Sequence, residues 1–140
     1  MDFTQAIRSG YRKYLTFGGR ASRSEYWWWV LFIILSSIVV AIVEGTLGLG
    51  SGTVTQVEGG VSASYAGGPL SILWALANIL PGIAVGVRRL HDTDRSGWWY
   101  LIALVPLVGA IVLLVFFCTR GTAGANRFGP DPLVSPAGVF

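Results

Sequence analysis

Three apolar runs without a single Asp, Glu, Lys, Arg or His constrain this chain more than any other feature. They occupy positions 27–43, 69–87 and 98–118. As helices that rise about 1.5 Å per residue, runs of this length approach or match the ~30 Å hydrocarbon core of a bilayer. With 53% hydrophobic and only 12% charged residues, the chain is also too apolar for an ordinary water-soluble domain. The sequence therefore predicts an integral membrane protein.

Two of the runs begin with similar basic, tryptophan-rich phrases, Arg-Ser-Glu-Tyr-Trp-Trp at 23–28 and Arg-Ser-Gly-Trp-Trp-Tyr at 95–100. Guanidinium groups prefer the headgroup layer, and indole rings prefer the boundary between water and hydrocarbon. We therefore expect the two phrases to lie on the same face of the membrane. The predicted interfacial anchors are Trp27, Trp28, Trp98 and Trp99.

Residues at the ends of the runs predict where the helices begin and end. Ser22 and Glu25 have the spacing of a capping box, which places a helix start just before the first run. Pro69 suits the first turn of the second helix, and Pro81 predicts a kink inside it. We expect an all-α bundle of three transmembrane helices, at about 26–44, 69–87 and 98–118, in a single membrane domain, 1–132, followed by a flexible tail, 133–140.

The N-terminal segment, 1–17, has the pattern of an amphipathic helix. Its apolar side chains recur at helical spacing, while Arg8, Arg12 and Lys13 take other faces. This pattern is typical of a basic helix that lies in the membrane interface. A helix packed on the bundle is the alternative.

The segment 44–68 differs from the runs on either side of it. It is rich in Gly, Ser and Thr, carries Glu44 and Glu58, and has no Lys or Arg. This composition predicts a flexible loop on the side of the membrane opposite the basic residues.

The distribution of basic residues predicts the orientation. Five precede the first span, none lies between the first and second, three lie between the second and third, and two follow the third. Positively charged loops stay inside, so we expect a multi-pass membrane protein with a cytoplasmic N-terminus. Three crossings leave the tail outside despite Arg120 and Arg127, whereas a re-entrant third segment returns it to the cytoplasm.

The turn after the second span holds the densest cluster of functional groups in the chain. If the helix continues through it, Asp92 can pair with Arg88 and Arg95 on one face, which gives a self-neutralised turn. Alternatively, the arginines bind anionic headgroups or an acidic segment of a partner. A third alternative gives His91 a metal ion or a general-base role. The candidate binding residues are Arg88, Arg89, His91, Asp92, Asp94 and Arg95.

Other features of the sequence support neither a catalytic site nor nucleic-acid binding. The single Cys118 has no second cysteine and no metal-ligand spacing, so we expect no metal and no cofactor. The basic residues stand beside the spans rather than along one helix or strand face, which favours anionic lipid over nucleic acid. Turn-forming residues fill 121–132, and they predict a compact turn segment.

Three phrases together resemble a known family. They are Gly19-Arg20-Ala21-Ser22-Arg23-Ser24-Glu25-Tyr26-Trp27, Arg88-Arg89-Leu90-His91-Asp92-Thr93-Asp94-Arg95-Ser96-Gly97-Trp98-Trp99, and Gly121-Thr122-Ala123-Gly124-Ala125-Asn126-Arg127-Phe128-Gly129-Pro130-Asp131-Pro132. In this order they resemble the bacterial inner-membrane proteins of domain-of-unknown-function family 805 (DUF805), the YhaH-like proteins. The resemblance implies a small multi-pass protein of the bacterial inner (plasma) membrane. It transfers no catalytic or binding residue, because the family has no assigned activity.

These observations favour a non-enzymatic membrane module. Its partners are the lipid bilayer and anionic phospholipids, or another protein that binds the turn at 88–95. A homo-oligomer and a membrane-protein partner both stay open. The alternatives are a metal-dependent membrane enzyme that acts on a lipid-linked substrate, and a subunit of a transport or stress complex.

Overall fold

The computed structural model describes residues 1–134. In chain order, this part of the protein contains α1 (Phe3–Arg12), α2 (Arg23–Thr46), β1 (Ser51–Val57), β2 (Gly60–Ala66), α3 (Pro69–Asp92), a 3₁₀ helix (Gly97–Leu104) and α4 (Val108–Cys118). Two compact units divide the chain. Unit 1 comprises Met1–Val30 and the described residues from Leu80 onward, and unit 2 comprises Leu31–Ile79.

Helix α1 packs on the first turns of α2 within unit 1. Asp2 and Gln5 form a capping box at its start, with the Gln5 amide 2.8 Å from the Asp2 carboxylate and the Asp2 amide 3.0 Å from the Gln5 side chain. Gly10 lies against the Trp29 ring so closely that a Cβ there would collide with it. Helix α1 is therefore packed on α2 and is shorter than the predicted segment, while its position in the membrane interface stays a prediction.

Helices α2 and α3 are the two helices in the described part of the chain that are long and apolar enough to cross a membrane. Each has 24 residues, about 36 Å at the usual rise. Only half of the predicted capping box forms at the start of α2. The Ser22 hydroxyl accepts a hydrogen bond from the Glu25 amide at 3.2 Å, but the Glu25 carboxylate binds Ser9 and Arg88. Helix α3 continues past the predicted end at 87 to Asp92.

The third predicted span, 98–118, is not one helix, which corrects the sequence expectation. A 3₁₀ helix and the 11-residue α4 replace it, with the break at Pro106. The residue before a proline avoids helical dihedrals, and Val105 is extended (ψ 112°). Leu107 has φ 62°, and a Cβ on Gly109 would collide with the Ile102 carbonyl, so the chain folds back tightly at this point.

The predicted loop at 44–68 contains a β-hairpin, so the all-α expectation does not hold in this segment. Strands β1 and β2 pair antiparallel from Ser51↔Ala66 to Val57↔Gly60. A two-residue turn joins them, and Gly59 takes φ +91°, which glycine adopts without strain. The alternation of Thr or Ser with Val, Ala or Tyr is the strand signal that the abundance of Gly and Ser obscured.

The apolar core of unit 1 lies beneath the end of α3. Leu90 is fully buried there with Leu113 and Phe117 of α4. Aromatic and aliphatic side chains pack around these three residues: Tyr26, Tyr100, Ile102 and Phe116. This packing holds the folded-back segment against α3, directly below the predicted site.

Candidate functional site: a buried ion-paired junction

Five charged side chains in unit 1 are almost completely buried. They come from the loop before α2, the first turn of α2 and the last turn of α3: Arg20, Glu25, Arg88, Arg89 and Asp92. Buried charges are tolerated only when they are paired and hydrogen-bonded, so the partners of each define what this junction does.

Asp92 is the centre of the junction because it binds two guanidinium groups. Its Oδ1 lies 3.0 Å from Arg20 Nε, and its Oδ2 lies 2.5 Å from Arg89 Nη1. The expected pairing with Arg88 and Arg95 is wrong. Helix α3 ends at Asp92, and Asp94 then takes φ 58°, so the chain turns away before Arg95 can share the same helix face.

Arg88 pairs with Glu25 instead. Its Nη1 donates to Glu25 Oε1 at 2.8 Å, and the Ser9 hydroxyl donates to the same oxygen at 2.7 Å. This contact joins α1, α2 and α3 through one buried carboxylate. The Nε and Nη2 groups of Arg88 have no hydrogen-bond partner among the described residues.

Arg89 binds the carbonyl groups that end α4. Its Nε donates to the Phe117 carbonyl at 3.1 Å, and its Nη2 donates to the Thr119 carbonyl. Arg23 reaches the same helix end, with Nη1 3.4 Å from the Cys118 carbonyl. The last carbonyls of a helix lack intrahelical donors and carry partial negative charge, so two arginines both satisfy and neutralise this end.

Arg20 holds the chain that follows α4. Its Nη1 donates to the Gly124 carbonyl at 2.6 Å, and its Nη2 donates to the Thr122 carbonyl. The Thr122 amide in turn donates to the Asp92 carbonyl at 2.7 Å. The compact turn segment predicted for 121–132 is therefore fixed to the end of α3.

His91 is occupied by structural contacts. Its Nδ1 lies 3.0 Å from the Gly19 carbonyl oxygen, and its ring stacks on Phe128 with 4.0 Å between centroids. The Asn126 side chain donates to the His91 carbonyl at 2.9 Å. Within residues 1–134, the His, Cys, Asp and Glu side chains form no group of three that could hold a metal ion.

The remaining residues of the predicted turn lie nearer the solvent. Arg127 Nε is 3.3 Å from Asp94 Oδ1, and both side chains are at least half exposed. Such pairs contribute at most about 1 kcal/mol. Arg95 lies over the Phe116 ring at 4.0 Å. The structure thus divides the candidate residues into four buried ones, at 88, 89, 91 and 92, and two accessible ones.

Sequence reasoning missed Ser9, Arg20 and Glu25 as members of the junction. Glu25 was assigned to a capping box, although it is the only acidic residue in the Trp-rich start of α2. A carboxylate at the entrance of an apolar helix, in a chain with an arginine pair elsewhere, is the signal that could have indicated a buried ion pair.

Several other basic residues of unit 1 are exposed or partly exposed. Among the described residues they take part in no ion pair: Arg8, Arg12, Lys13, Arg23 and Arg120. Because the arginines of the junction are buried, these residues carry the accessible positive charge. All four predicted tryptophan anchors are also exposed, from 36% at Trp27 to 78% at Trp98.

A third buried carboxylate lies in unit 2. Glu44, near the end of α2, accepts the amides of Gly68 (3.1 Å) and Ser71 (3.0 Å) at the start of α3. It also accepts the hydroxyls of Ser71 and Tyr65, the latter at 2.6 Å. This bond to the carboxylate raises the pKa of Tyr65. Glu44 thus caps α3 from a neighbouring helix and ties the hairpin to both helices.

Comparisons with known proteins match almost the whole chain. The family profile described as "Protein of unknown function (DUF805)" matches residues 14–130. The chain is 47% identical over 121 residues to "Inner membrane protein YhaI" of Escherichia coli (strain K12), which covers 86% of this chain and 89% of that protein. It is 42% identical over 125 residues to "Inner membrane protein YhaH" of the same strain, covering 89% and 93%. No solved structure matches the chain.

Proposed function

The chain belongs to the DUF805 family of bacterial inner-membrane proteins, whose activity is unassigned, and we propose that it is a non-enzymatic membrane module. In this proposal it binds anionic phospholipid at its cytoplasmic face. One observation carries the proposal. The three arginines of the junction are buried and each is paired with a carboxylate, while the basic residues around them stay accessible. The junction therefore positions the exposed basic residues around it, and these residues bind the anionic phospholipid.

The topology we propose has two crossings, α2 and α3, and a re-entrant third segment. The 3₁₀ helix spans about 16 Å and α4 about 17 Å, so neither crosses a ~30 Å core alone. Arg89 on α3 and Arg23 on α2 both bind the end of α4, which supports return of the chain to the face it left. All ten basic residues then lie on one side, and the positive-inside rule makes that side the cytoplasm.

The lipid-binding surface we propose consists of the exposed cations that flank the junction. Arg23 contacts the Cys118 carbonyl at the end of α4, Arg120 follows that helix two residues later, and α1 contributes Arg8, Arg12 and Lys13. In the proposed topology these side chains are at headgroup level, where each basic residue contributes about 1 kcal/mol of attraction to anionic lipid. From the predicted turn, Arg95 belongs to this surface, and Arg88, Arg89 and Asp92 position it.

Native mass spectrometry of protein extracted with its lipids tests the binding surface. We expect R23A/R120A to lower retention of phosphatidylglycerol relative to phosphatidylcholine by about 30-fold, since two cations of about 1 kcal/mol each are removed. The matched control is R127A, which removes an exposed arginine already paired with Asp94. Equal retention in R23A/R120A and R127A would refute the surface.

Thiol accessibility in spheroplasts tests the topology independently. In a Cys118→Ala background, Ala123→Cys in the turn segment should be protected from a membrane-impermeant maleimide until the membrane is permeabilised. A Ser62→Cys variant in the hairpin should react at once. Immediate labelling of both positions would restore the three-crossing alternative.

A further inference from the structure

The β-hairpin has two chemically different faces. One face carries a ladder of hydroxyls, in which Thr53 and Ser64 are 2.7 Å apart and Thr55 and Ser62 are 2.8 Å apart. Side chains alternate along a strand, so the residues between these belong to the opposite face. Those residues are mostly apolar: Val54, Val61, Ala63 and Tyr65, with Gln56 and Gly52.

The apolar face is not covered by the described part of the protein. Val54 is 74% exposed and Val61 is 66% exposed. Every residue of both strands is exposed, and a two-stranded hairpin in water alone is marginally stable at best. Something that removes the valines from water would stabilise the hairpin.

The contact between Tyr65 and Glu44 shows in which direction this face points. Tyr65 belongs to the apolar face, and its hydroxyl binds the carboxylate near the end of α2. The apolar face is therefore the one turned toward the helix ends, and the hydroxyl face is turned away. Val54 and Val61 lie farther along the same face, toward the turn.

Short connections keep the hairpin close to the helix ends. Residues 47–50 precede it and residues 67–68 follow it, so at ~3.5 Å per residue the links reach about 14 Å and about 7 Å. The first link is itself apolar and exposed at Leu47 and Leu49. If α2 and α3 cross the membrane, the surface beneath the apolar face is the lipid around them.

We propose that the hairpin lies on the outer-leaflet interface, with Val54, Val61 and Tyr65 in contact with lipid and the hydroxyl ladder facing the periplasm. This inference rests on the proposed two-crossing topology. The strands carry no Lys, Arg, Asp or Glu. The contact is therefore made by apolar and aromatic side chains at the boundary of the hydrocarbon, without charge attraction to headgroups.

A matched pair of adjacent positions tests the proposal. Val61→Cys and Ser62→Cys, each in the full chain with Cys118→Ala, are labelled with an environment-sensitive nitrobenzoxadiazole dye and reconstituted in phosphatidylglycerol/phosphatidylethanolamine liposomes. We expect the label at position 61 to be blue-shifted and quenched several-fold more strongly by nitroxide-labelled lipid than the label at position 62. Both substitutions are at exposed positions, so the fold is retained.

The other outcomes each overturn a defined part of the argument. Two labels with the same water-like emission would show that the hairpin stands free of lipid. A shielded label at position 61 that nitroxide lipid does not quench, and that becomes exposed on dilution with excess lipid, would show that a second copy covers the face. The dye reports lipid contact on either side of the membrane. Failure of the topology appears separately in intact spheroplasts, either as immediate labelling of Ala123→Cys or as Ser62→Cys that is unreactive.

Discussion

Unit 1 and unit 2 both bury carboxylates that tie distant segments together, but the partners of these carboxylates differ. In unit 1, Asp92 is held by two guanidinium groups, and the neighbouring Glu25 by a third. In unit 2, Glu44 is held by backbone amides and hydroxyls at a helix start. Removing the charge of Asp92 leaves buried guanidinium groups without a counter-charge, whereas removing the charge of Glu44 leaves only neutral hydrogen-bond donors. The two units should therefore differ in their tolerance of substitution.

The largest effect is expected for Asp92→Asn. The neutral amide leaves Arg20 and Arg89 buried without a counter-charge, a situation that costs about 3–5 kcal/mol. We expect much of the stability to be lost, with release of α4 and the turn segment to protease. Unfolding in mixed detergent micelles measures the stability, and limited proteolysis measures the release.

The matched control for this variant is Asp94→Asn, two residues away. Its carboxylate pairs with Arg127 at the exposed surface, so the loss should stay below about 1 kcal/mol. Equal stability of the two variants would contradict the view that unit 1 depends on its buried charges.

The second effect concerns the packing of unit 1 and uses two glycines one turn apart. A Cβ on Gly86 would collide with the Tyr100 ring, whereas a Cβ on Gly82 would meet nothing within 4 Å. Gly86→Ala should destabilise by about 1–3 kcal/mol, as overpacking does. Gly82→Ala should be neutral or stabilising, because alanine favours helix by up to ~1 kcal/mol. The same unfolding assay compares them, and a loss of stability in Gly82→Ala would instead indicate a contact between copies at this glycine.

The third effect, Glu44→Gln, should be smaller and local. The amide keeps one acceptor oxygen but presents an NH₂ group to the donors of Gly68, Ser71 and Tyr65, so the cap weakens. We expect faster amide hydrogen exchange across the hairpin, while the unfolding midpoint falls less than in Asp92→Asn. If the unfolding midpoint falls as far in Glu44→Gln as in Asp92→Asn, the two carboxylates contribute equally to stability and the units do not differ in this respect.

The sequence allowed the apolar segments to be predicted better than the contacts between them. Apolar runs and caps located α2 and α3 within a few residues, because hydrophobicity and local hydrogen bonds depend on near neighbours. Pro106 indicates that a helix can break at this position. Whether the chain then folds back depends on Gly109 fitting against the Ile102 carbonyl, seven residues earlier, which the sequence pattern does not show. The junction was harder still, since Arg20 and Asp92 are 72 positions apart, and only the tertiary fold brings them together.

The smallest effect is a pH dependence of the turn segment. The Asp131 carboxylate accepts the amides of Leu133 and Gly124, and these bonds lower its pKa below the ordinary 3.8. A carboxylate whose pKa is lower in the folded state stabilises that state above its unfolded pKa. The contribution is lost as the pH falls through the lowered folded pKa. The protection factors of the Gly124 and Leu133 amides, which compare their exchange with that of an unstructured peptide at the same pH, should therefore fall under strongly acidic conditions. No such fall is expected between pH 5 and 8. In Asp131→Asn, faster exchange should appear already at neutral pH. If the two amides exchange at the same rates in Asp131→Asn and in the native protein, Arg20 and Asp92 alone hold the turn segment. The dependence of unit 1 on its buried charges would then extend to the last residues of unit 1 that the structure describes.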